Sequence, residues 1–470
     1  MTFRRLVRCP RFVLALGTTL ALATTAQRAA QANGRPASAF DIAFDDSSSR
    51  IFVGNTFGGL VSDDGGMTWR LVCEQVLGTA NQLVNSVYVS TRAGMLLVSS
   101  ARGIVYSRDG GCTFTPSAGA IVSQPIYDVA VDPSSPMRVL ASSYNPQGAN
   151  GVYVSIDGGA SFAAPNPPGD MGTSFYRVRF STLHPSVAYT IGVQRNGTIA
   201  TTLLYRSSDG GTTFTPTGYS ATNFAVQPPP TLIGVDPRDE NKVYFYANDG
   251  SGTEPLFAST DGGATFTPSN GGWTLLYDGT FSDDGSGVLY LATNQGVRTT
   301  SDGGRTFSPA IQNATVMRCL RVRDHVLYGC SDILVDGSDF DVGKSVDEGV
   351  SWQPLVRFNQ NIVGPALCPA GSQVCLTCYP DWQRFAQQFG LPNLSAPPCI
   401  AGDGGGAGGN AGAGDSGRGG ASGGGGARGG RCSCELAARP LGGSSEILAW
   451  LLIAGVARRR RRQVIPECRN

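Results

Sequence analysis

Histidine and glutamate are scarce in this 470-residue chain. The two histidines are His184 and His325, too few for a metal centre built from imidazole ligands. Between residues 33 and 400 there are four glutamates: Glu74, Glu240, Glu254 and Glu348. Glycoside hydrolysis normally needs two convergent carboxylates, and no such pair can be named from the sequence. We therefore name no catalytic residue, and we expect no metal or cofactor.

The central part of the chain lacks positive charge. Residues 1–32 contain five arginines and no acid, and residues 401–470 contain ten arginines and five acids. Residues 33–400 are left with 21 basic and 30 acidic residues, a net charge of −9. A nucleic-acid-binding surface needs a basic patch, so nucleic acid is excluded as a partner.

Residues 1–32 have the pattern of a signal peptide. Four arginines precede the short apolar run FVLALGTTLALATTA (12–26), and AQA (30–32) is a small-residue cleavage site. A buried first helix is the alternative interpretation. Cys9 precedes the apolar run, so it is not placed like a lipoprotein cysteine. We expect an exported protein.

Export favours disulfides over free thiols. Without the leader and the tail after residue 400, eight cysteines remain, which suits four disulfides. In CLRVRDHVLYGC, a two-residue turn at Asp324 and His325 would place Cys319 opposite Cys330. We predict a Cys319–Cys330 disulfide.

The last four of these cysteines form a separate group in the sequence: Cys368, Cys375, Cys378 and Cys399. The segment CLTC (375–378) is compatible with zinc. An exported chain without histidine nearby favours two disulfides within the group instead.

One short pattern recurs seven times, at spacings of 41 to 52 residues: SDDGGMTW (62–69), SRDGGCTF (107–114), SIDGGASF (155–162), SSDGGTTF (207–214), STDGGATF (259–266), TSDGGRTF (300–307) and SVDEGVSW (345–352). Its carboxylates are Asp64, Asp109, Asp157, Asp209, Asp261, Asp302 and Asp347. A catalytic group is needed once, so seven copies indicate a structural turn. The Asp can accept amide hydrogen bonds within the turn, and Gly permits positive φ.

The repeated pattern resembles the BNR/Asp-box repeat over residues 38–356. In that family each box joins the third and fourth strands of a propeller blade. Pairs of β-rich runs separated by a turn precede most boxes, for example IYDVAVDPSSPMRVLASSY (126–144). We predict an all-β fold, a single seven-bladed β-propeller of four-stranded antiparallel blades over residues 33–366. Another all-β repeat or two smaller propellers are the alternatives.

The C-terminal region divides into three segments. Residues 367–400 are rich in cysteine, and residues 401–431 form a flexible Gly/Ala/Ser spacer. Residues 432–470 contain Cys432, Cys434, an apolar stretch (441–457) interrupted by Glu446, and five arginines (458–462). This last segment resembles the MYXO-CTERM sorting tail, which implies processing near Cys434 that leaves the protein attached to the cell surface or released. A plain C-terminal membrane anchor is the alternative.

Two groups of residues are candidates for ligand binding. We expect the second-to-third-strand loops to form one mouth of the channel, with an aromatic character that suits a sugar or a peptide; the candidates there are Tyr144, Tyr176, Trp273 and Tyr277. On the innermost strands, Arg177 and Arg179 share one side, and so do Arg321 and Arg323. These arginines would converge on an anion, or pair with carboxylates such as Asp128. The acidic DGSDFD (336–341) does not have the spacing of a calcium loop.

Three functions are compatible with these features. The first is a non-catalytic propeller that binds an extracellular glycan or protein partner and contacts the membrane through its tail. The second is a glycoside hydrolase, because bacterial sialidases are similar in their Asp-boxes; however, no FRIP-like arginine motif precedes the boxes here. The third is an assembly factor of the photosystem II type, which is similar in fold alone. We favour the first.

Overall fold

The computed structural model describes residues 31–399, except 33–34, 81–86, 92–93, 146–147, 149, 167–171, 226, 312–313, 334–337 and 395–398. Seven antiparallel sheets in this part of the chain form the blades of a propeller. Each innermost strand contacts the innermost strand of the next blade, and the seventh contacts the first. The predicted all-β, seven-bladed fold is confirmed.

The strands follow the blades in chain order. Before the ring lie β1 (Gln31–Ala32) and β2 (Arg35–Pro36). Blade 1 contains β3 (Ala39–Phe44), β4 (Ile51–Asn55), β5 (Gly58–Ser62) and β6 (Trp69–Cys73). Blade 2 contains β7 (Tyr88–Ser90), β8 (Leu96–Ser100), β9 (Gly103–Ser107) and β10 (Thr115–Pro116). Blade 3 contains β12 (Ile126–Val131), β13 (Val139–Ser143) and β14 (Val152–Ser155), and the short strands β11 (Ala118–Gly119) and β15 (Ser161–Phe162) pair beside it.

The remaining blades have the same order. Blade 4 contains β16 (Thr173–Phe180), β17 (Ala188–Asn196), β18 (Ile199–Ser207) and β19 (Thr215–Ala221). Blade 5 contains β20 (Thr231–Asp236), β21 (Asp239–Tyr246), β22 (Leu256–Ser259) and β23 (Thr267–Ser269). Blade 6 contains β24 (Leu276–Phe281), β25 (Leu289–Thr293) and β26 (Gly296–Thr300). Blade 7 contains β27 (Cys319–Arg323), β28 (Val326–Cys330), β29 (Val342–Ser345) and β30 (Gln353–Val356).

The core lies between the blades. The second strands β4, β8 and β13 are buried along their whole length, because each sheet packs against the next one on both faces. Their sequences, IFVGN, LLVSS and VLASS, accordingly show no strict alternation of apolar and polar residues. Six clusters of buried apolar side chains occupy the interfaces.

The seven repeated segments, which we call corners, follow the third strand of each blade. In the corner of blade 4, Ser207 Oγ and the Thr213 N–H each donate to Asp209 Oδ1 at 2.8 Å, and Thr213 Oγ1 donates to Asp209 Oδ2 at 2.6 Å. Side-chain and backbone hydrogen bonds of this kind lower the pKa of the corner residues Asp261 and Asp302 to about 2. Each of these carboxylates thus accepts hydrogen bonds from groups of its own turn.

Each corner also packs against another blade. Gly211 has a φ of 85°, and a Cβ at this position would lie 2.4 Å from Leu140 Cδ2 of blade 3. Likewise, a Cβ on Gly349 of blade 7 would contact Val297 of blade 6. Between blades 1 and 7, Trp69 Nε1 donates to the Leu355 carbonyl at 3.1 Å. The corners therefore connect neighbouring blades.

The ring is closed by the segment that follows blade 7. Strand β31 (Ile362–Pro365) pairs in parallel with β6 as a fifth strand of blade 1. After it, the helix α2 (Gln373–Phe389) starts at the N-cap Ser372 and ends at Gly390. A one-turn helix, α1 (Glu74–Leu77), contacts it.

Four disulfides join described cysteines: Cys73–Cys378, Cys112–Cys368, Cys319–Cys330 and Cys375–Cys399. The expectation that the last four cysteines pair among themselves is half wrong, because Cys368 and Cys378 bond to blades 2 and 1. The segment after blade 7 is thereby fixed to the first two blades. Four disulfides indicate an oxidising compartment.

The predicted hairpin around Cys319 and Cys330 is present. Arg323 pairs with Val326 and Cys319 with Cys330, so the two-residue turn consists of Asp324 and His325. Both turn residues have positive φ, 52° and 62°. These are the backbone conformations of a type I′ turn.

Residues 1–30 of the predicted leader (1–32), and the spacer and tail predicted over 401–470, lie outside the described residues. Cys432 and Cys434 belong to that tail. Among the described residues, no helix is long and apolar enough to span a bilayer.

Candidate functional site

Three aspartates from the innermost strands lie in the central channel. Asp41, Asp128 and Asp278 each follow a register shift in β3, β12 or β24, which leaves Phe40, Tyr127 or Tyr277 as the extra residue. A bulge of this kind redirects the side chain that follows it. All three carboxylates are buried.

Each of these carboxylates accepts a hydrogen bond from the next innermost strand. Asp41 accepts from the Tyr88 N–H at 2.9 Å. Asp128 accepts from the Val178 N–H, and Asp278 from the Leu320 N–H, both at 3.0 Å. The aspartates therefore connect blades 1 and 2, blades 3 and 4, and blades 6 and 7.

Arginines complete a charged layer across the channel. Arg179, next to Val178, forms an ion pair with Asp128. Arg321, next to Leu320, pairs with Asp278 at 3.0 Å and with Asp41 at 2.5 Å. Burial raises the pKa of Asp41 despite its contact with Arg321. Burial alone would lower the pKa of Arg321, but the negative charges of Asp41 and Asp278 raise it.

Arg177 belongs to the same layer but is differently placed. With the described residues it forms no ion pair and no side-chain hydrogen bond. Burial alone would lower its pKa, but the charges of Asp128 and Asp278 raise it. Arg177, Arg179 and Arg321 thus lie in one layer, but three carboxylates balance them, which removes the excess positive charge that an anion site needs.

Arg323 lies outside this layer. Its Nη2 donates to the Ser48 carbonyl at 2.9 Å, and its guanidinium lies 5.4 Å from the ring centroid of Phe44. It belongs to the hairpin turn of blade 7 rather than to the channel. The four arginines therefore do not form one site.

A cavity of about 830 Å³ occupies one end of the channel, with the charged layer beneath it. Asp128, Arg179 and Arg321 line its deep end. Aromatic and aliphatic side chains form its walls: Phe44, Phe180, Leu183, Ile233, Val235 and Phe281. Gly234 and Gly279, on innermost strands, also line it.

A second, shallower cavity of about 590 Å³ continues from the first over the hairpin of blade 7. We call it the rim groove; it is lined by Phe44, Asp46, Ser47, Asp283, Val322, Arg323 and Asp324. Phe44, Asp46 and Asp283 line both cavities. The two cavities therefore form one continuous depression.

This depression opens on the face that carries the corners. The turns between first and second strands lie beside the corners, as in blade 4, where the Gly210 N–H donates to the Ser186 carbonyl at 2.7 Å. The same type of turn supplies Asp46 and Asp283 to the cavity. The sequence predicts a ligand at the opposite mouth, among the second-to-third-strand loops. The cavity instead lies at the mouth that carries the corners. No corner residue lines it.

The aromatic candidates do not line either cavity. Trp273 is 1% exposed, and its indole N–H donates to the Glu254 carbonyl at 3.0 Å. Tyr176 is 2% exposed and packs against Tyr127. Trp273 and Tyr176 are thus core residues, while Tyr144 and Tyr277 are half-buried.

Apart from Asp128, which it named as a partner for the channel arginines, sequence reasoning missed the carboxylates of the charged layer and the residues that line the cavity. Asp41, Asp128 and Asp278 all occur in an aromatic-Asp dipeptide at the start of an innermost strand, FD or YD. This recurrence was a usable signal. Phe44, Asp46 and Asp283 have no such signature, because their roles depend on the neighbouring blades.

Among known proteins, the chain is similar to a glycoside hydrolase over part of its length. No family model matches it. It is 28% identical over 264 residues to a xyloglucanase of Hypocrea jecorina (strain QM6a), an alignment that covers 54% of this chain and 28% of that protein. The chain thus spans about a quarter of the length of this curated relative.

Solved structures are similar to the chain at low identity. YCF48 from Cyanidioschyzon merolae is 16% identical with a TM-score of 0.44, covering 62% of this chain and 92% of that one. The GH74 enzyme of Niastella koreensis is 14% identical with a TM-score of 0.29, covering 67% of this chain and 71% of that one. Likenesses at these TM-scores carry no argument about this chain.

Proposed function

We propose that this protein is an exported propeller that binds a glycan in the central cavity without cleaving it. The observation that carries the proposal is the cavity itself, which combines aromatic walls with a deep end of paired charges. Binding sites for small ligands are typically concave and apolar, with a few fixed polar groups.

The contacts of Asp128, the carboxylate at the deep end of the cavity, favour binding over hydrolysis. Asp128 is already used by the Val178 N–H and Arg179. Cleavage of a glycosidic bond needs one carboxyl group as an acid and another as a base or nucleophile. At the rim, Asp283 is engaged by the His325 N–H and ring.

The similarity to a xyloglucanase supports a glycan ligand and a hydrolase as the second candidate function. We therefore choose xyloglucan as the first probe. A protein partner is the other possible ligand, and a glycan test separates the two. An assembly factor of the photosystem II type gains no support from a likeness of fold.

The test uses the full chain with xyloglucan oligosaccharides in isothermal titration calorimetry, together with assays of xyloglucan and a fluorogenic sialoside for turnover. We expect binding without turnover. Release of reducing sugar or fluorophore above background would establish a hydrolase, and no binding on a broad glycan array would refute glycan recognition.

We also propose that the segment 432–470 attaches the exported propeller to the cell surface through Cys434, with Cys432 beside it. The test is fractionation of cells that produce the wild type or the Cys434→Ala variant. Surface attachment that is lost in the variant is expected. Equal distribution of the two proteins would refute the role of this cysteine.

A further inference from the structure

We infer that Asp283 contacts the ligand at the lip of the central cavity and that His325 is its positioning residue. The inference rests on the proposed function and names a contact within that site. Asp283 is suited to this role because it lines both the central cavity and the rim groove. Through His325, the affinity for a glycan becomes sensitive to the protonation of one imidazole ring.

Asp283 is held by the neighbouring blade. It lies in the turn between β24 and β25 of blade 6, and His325 lies in the hairpin turn of blade 7. The His325 N–H donates to both carboxylate oxygens at 3.3 Å, and the ring Nδ1 lies 3.2 Å from Asp283 Oδ1. The backbone and the side chain of one residue thus hold the same carboxylate.

Asp283 retains the capacity to accept hydrogen bonds from a ligand. Its side chain is 34% exposed. The N–H and the ring of His325 are two donors, whereas an ionised carboxylate offers about four acceptor sites. Sugar hydroxyls are donors for the remaining sites. The carboxylate is therefore both fixed and accessible, which reduces the ordering cost of a contact with the ligand.

The strength of this hold depends on the charge of the ring. An imidazole changes its charge between about pH 5 and 8. A hydrogen bond from imidazolium to a carboxylate is stronger than one from neutral imidazole, so protonation of His325 fixes Asp283 more firmly and tightens binding. Because the His325 side chain is 73% exposed, the effect is modest, about two- to fivefold in affinity.

Four further charged groups lie around this pair: Asp46 of blade 1, Asp284 of blade 6, and Arg323 and Asp324 of blade 7. Hydrogen bonds from Ser286 and Ser282 lower the pKa of Asp284 to about 2. The Arg323 guanidinium and the Asp324 carboxylate pair at 3.4 Å. Among side chains, only histidine ordinarily changes charge between about pH 5 and 8, so the effect in this range is assigned to His325.

The other histidine of the chain provides an internal control. His184 lies in the turn between β16 and β17, and its ring Nδ1 is 3.1 Å from Glu240 Oε2 of blade 5. Both histidines thus pair with a carboxylate of a neighbouring blade, at nearly equal distances. His184 and Glu240, however, line neither of the two described cavities. A general effect of protonation would follow both histidines, whereas a contact through Asp283 follows His325 alone.

The experiment measures the affinity of the full chain for an uncharged xyloglucan oligosaccharide by calorimetry, from about pH 8 to about pH 5.5. The variant His325→Asn removes the ring and keeps a residue that tolerates positive φ. We expect the wild-type affinity, divided by that of His325→Asn, to rise about two- to fivefold as the pH falls. His184→Asn should have the wild-type profile.

A second variant tests the contact itself. Asp283→Asn should bind the oligosaccharide about three- to tenfold more weakly than the wild type, because an amide has one acceptor oxygen instead of two. The additional substitution His325→Asn should then change the pH profile no further, since His325 acts through Asp283.

Other groups contribute equally to the proteins that are compared. Burial raises the pKa of three carboxylates elsewhere in the described part of the chain: Asp41, Glu254 and Asp341. The variant His325→Asn retains all three. The ratio of the two affinities therefore cancels their titration.

The possible failures are distinguishable. A ratio that stays constant, falls with decreasing pH, or changes equally for His184→Asn would overturn the role of His325. An unchanged affinity in Asp283→Asn would overturn the contact. Each of these results leaves the proposed function intact, because the glycan is still bound. Absence of binding to every glycan tested would refute the proposed function, and the contact with it.

Discussion

The carboxylate of Asp278 accepts the backbone N–H of Leu320 at 3.0 Å and thereby connects the innermost strands of blades 6 and 7. Asp128 and Val178 repeat this contact between blades 3 and 4. In both places the residue after the donor is an arginine that pairs with the same carboxylate. The two interfaces differ in one respect: Arg321 also contacts Asp41, whereas within the described part of the chain Arg179 forms an ion pair with Asp128 alone.

This difference predicts unequal costs for two equivalent substitutions. Asp128→Asn leaves Arg179 without a counter-charge, and breaking a buried pair in this way costs about 3–5 kcal/mol. Asp278→Asn should cost less, because Arg321 retains Asp41. Urea unfolding of the two variants measures the difference. Equal losses of the free energy of unfolding would show that Asp41 does not compensate.

The corner carboxylates are predicted to stabilise the fold and to have no part in binding. Asp209→Asn replaces an acceptor of the Thr213 hydroxyl with an amide that cannot serve all the donors, at a cost of about 1–2 kcal/mol. Thermal unfolding should show the loss, and glycan affinity should stay unchanged. The exposed neighbour Ser208 offers a control, Ser208→Ala, that should be neutral. Lost binding with an unchanged melting temperature would contradict the structural role.

Two glycines with the same backbone conformation allow the cost of backbone strain to be measured apart from the cost of overpacking. Gly211 and Gly111 occupy the second glycine position of their corners, with φ of 85° and 93°. A Cβ on Gly211 would lie 2.4 Å from Leu140, whereas the nearest atom to a Cβ on Gly111 is 3.8 Å away. Both alanine variants carry the cost of positive φ. Gly211→Ala should lose about 1–3 kcal/mol more, because it overpacks the interface.

Chemical denaturation of both variants checks this prediction. The comparison uses the difference between them, which cancels the strain they share. Equal destabilisation would mean that Leu140 moves aside without cost and that the corners do not wedge against the preceding blade.

Local patterns in the sequence predicted the repeating parts of the fold. The spacing of the corners indicated seven blades, and the turn at Asp324 and His325 fixed the register that joins Cys319 to Cys330. The alternative considered for the channel arginines, pairing with Asp128, is what Arg179 does. Each of these features depends on residues close in sequence or on a pattern repeated in every blade.

Features that depend on distant segments were not predicted. The Cys73–Cys378 and Cys112–Cys368 disulfides join residues 305 and 256 positions apart, and no hairpin register relates such segments. The cavity likewise depends on which segments the fold brings together, since residues as distant in sequence as Phe44 and Phe281 line it. The sequence shows both residues but not that they face one space.

Asp341 predicts a pH dependence opposite in sign to that of the corner carboxylates. It is buried, its carboxylate accepts the Phe358 N–H at 2.7 Å, and burial together with nearby Asp332 raises its pKa to about 7. The native state therefore binds a proton more tightly than the unfolded state, in which the pKa is near its ordinary value of 3.8. The contribution of Asp341 to stability falls as pH rises from about 4 to about 7, by at most about 1.4 kcal/mol per pH unit, and is constant above that range.

The variant Asp341→Asn removes this titration but keeps an oxygen that can accept the Phe358 N–H. Thermal unfolding should show it more stable than the wild type at about pH 8, with the difference shrinking towards about pH 4. Asp339→Asn is the matched control, because that carboxylate is exposed and paired with Arg357 at 2.9 Å. The corner aspartates act in a separate window, since carboxylates with lowered pKa values lose their contribution only as pH falls below about 4. A difference between Asp341→Asn and wild type that is constant across the range would show that Asp341 is ionised in the native state throughout.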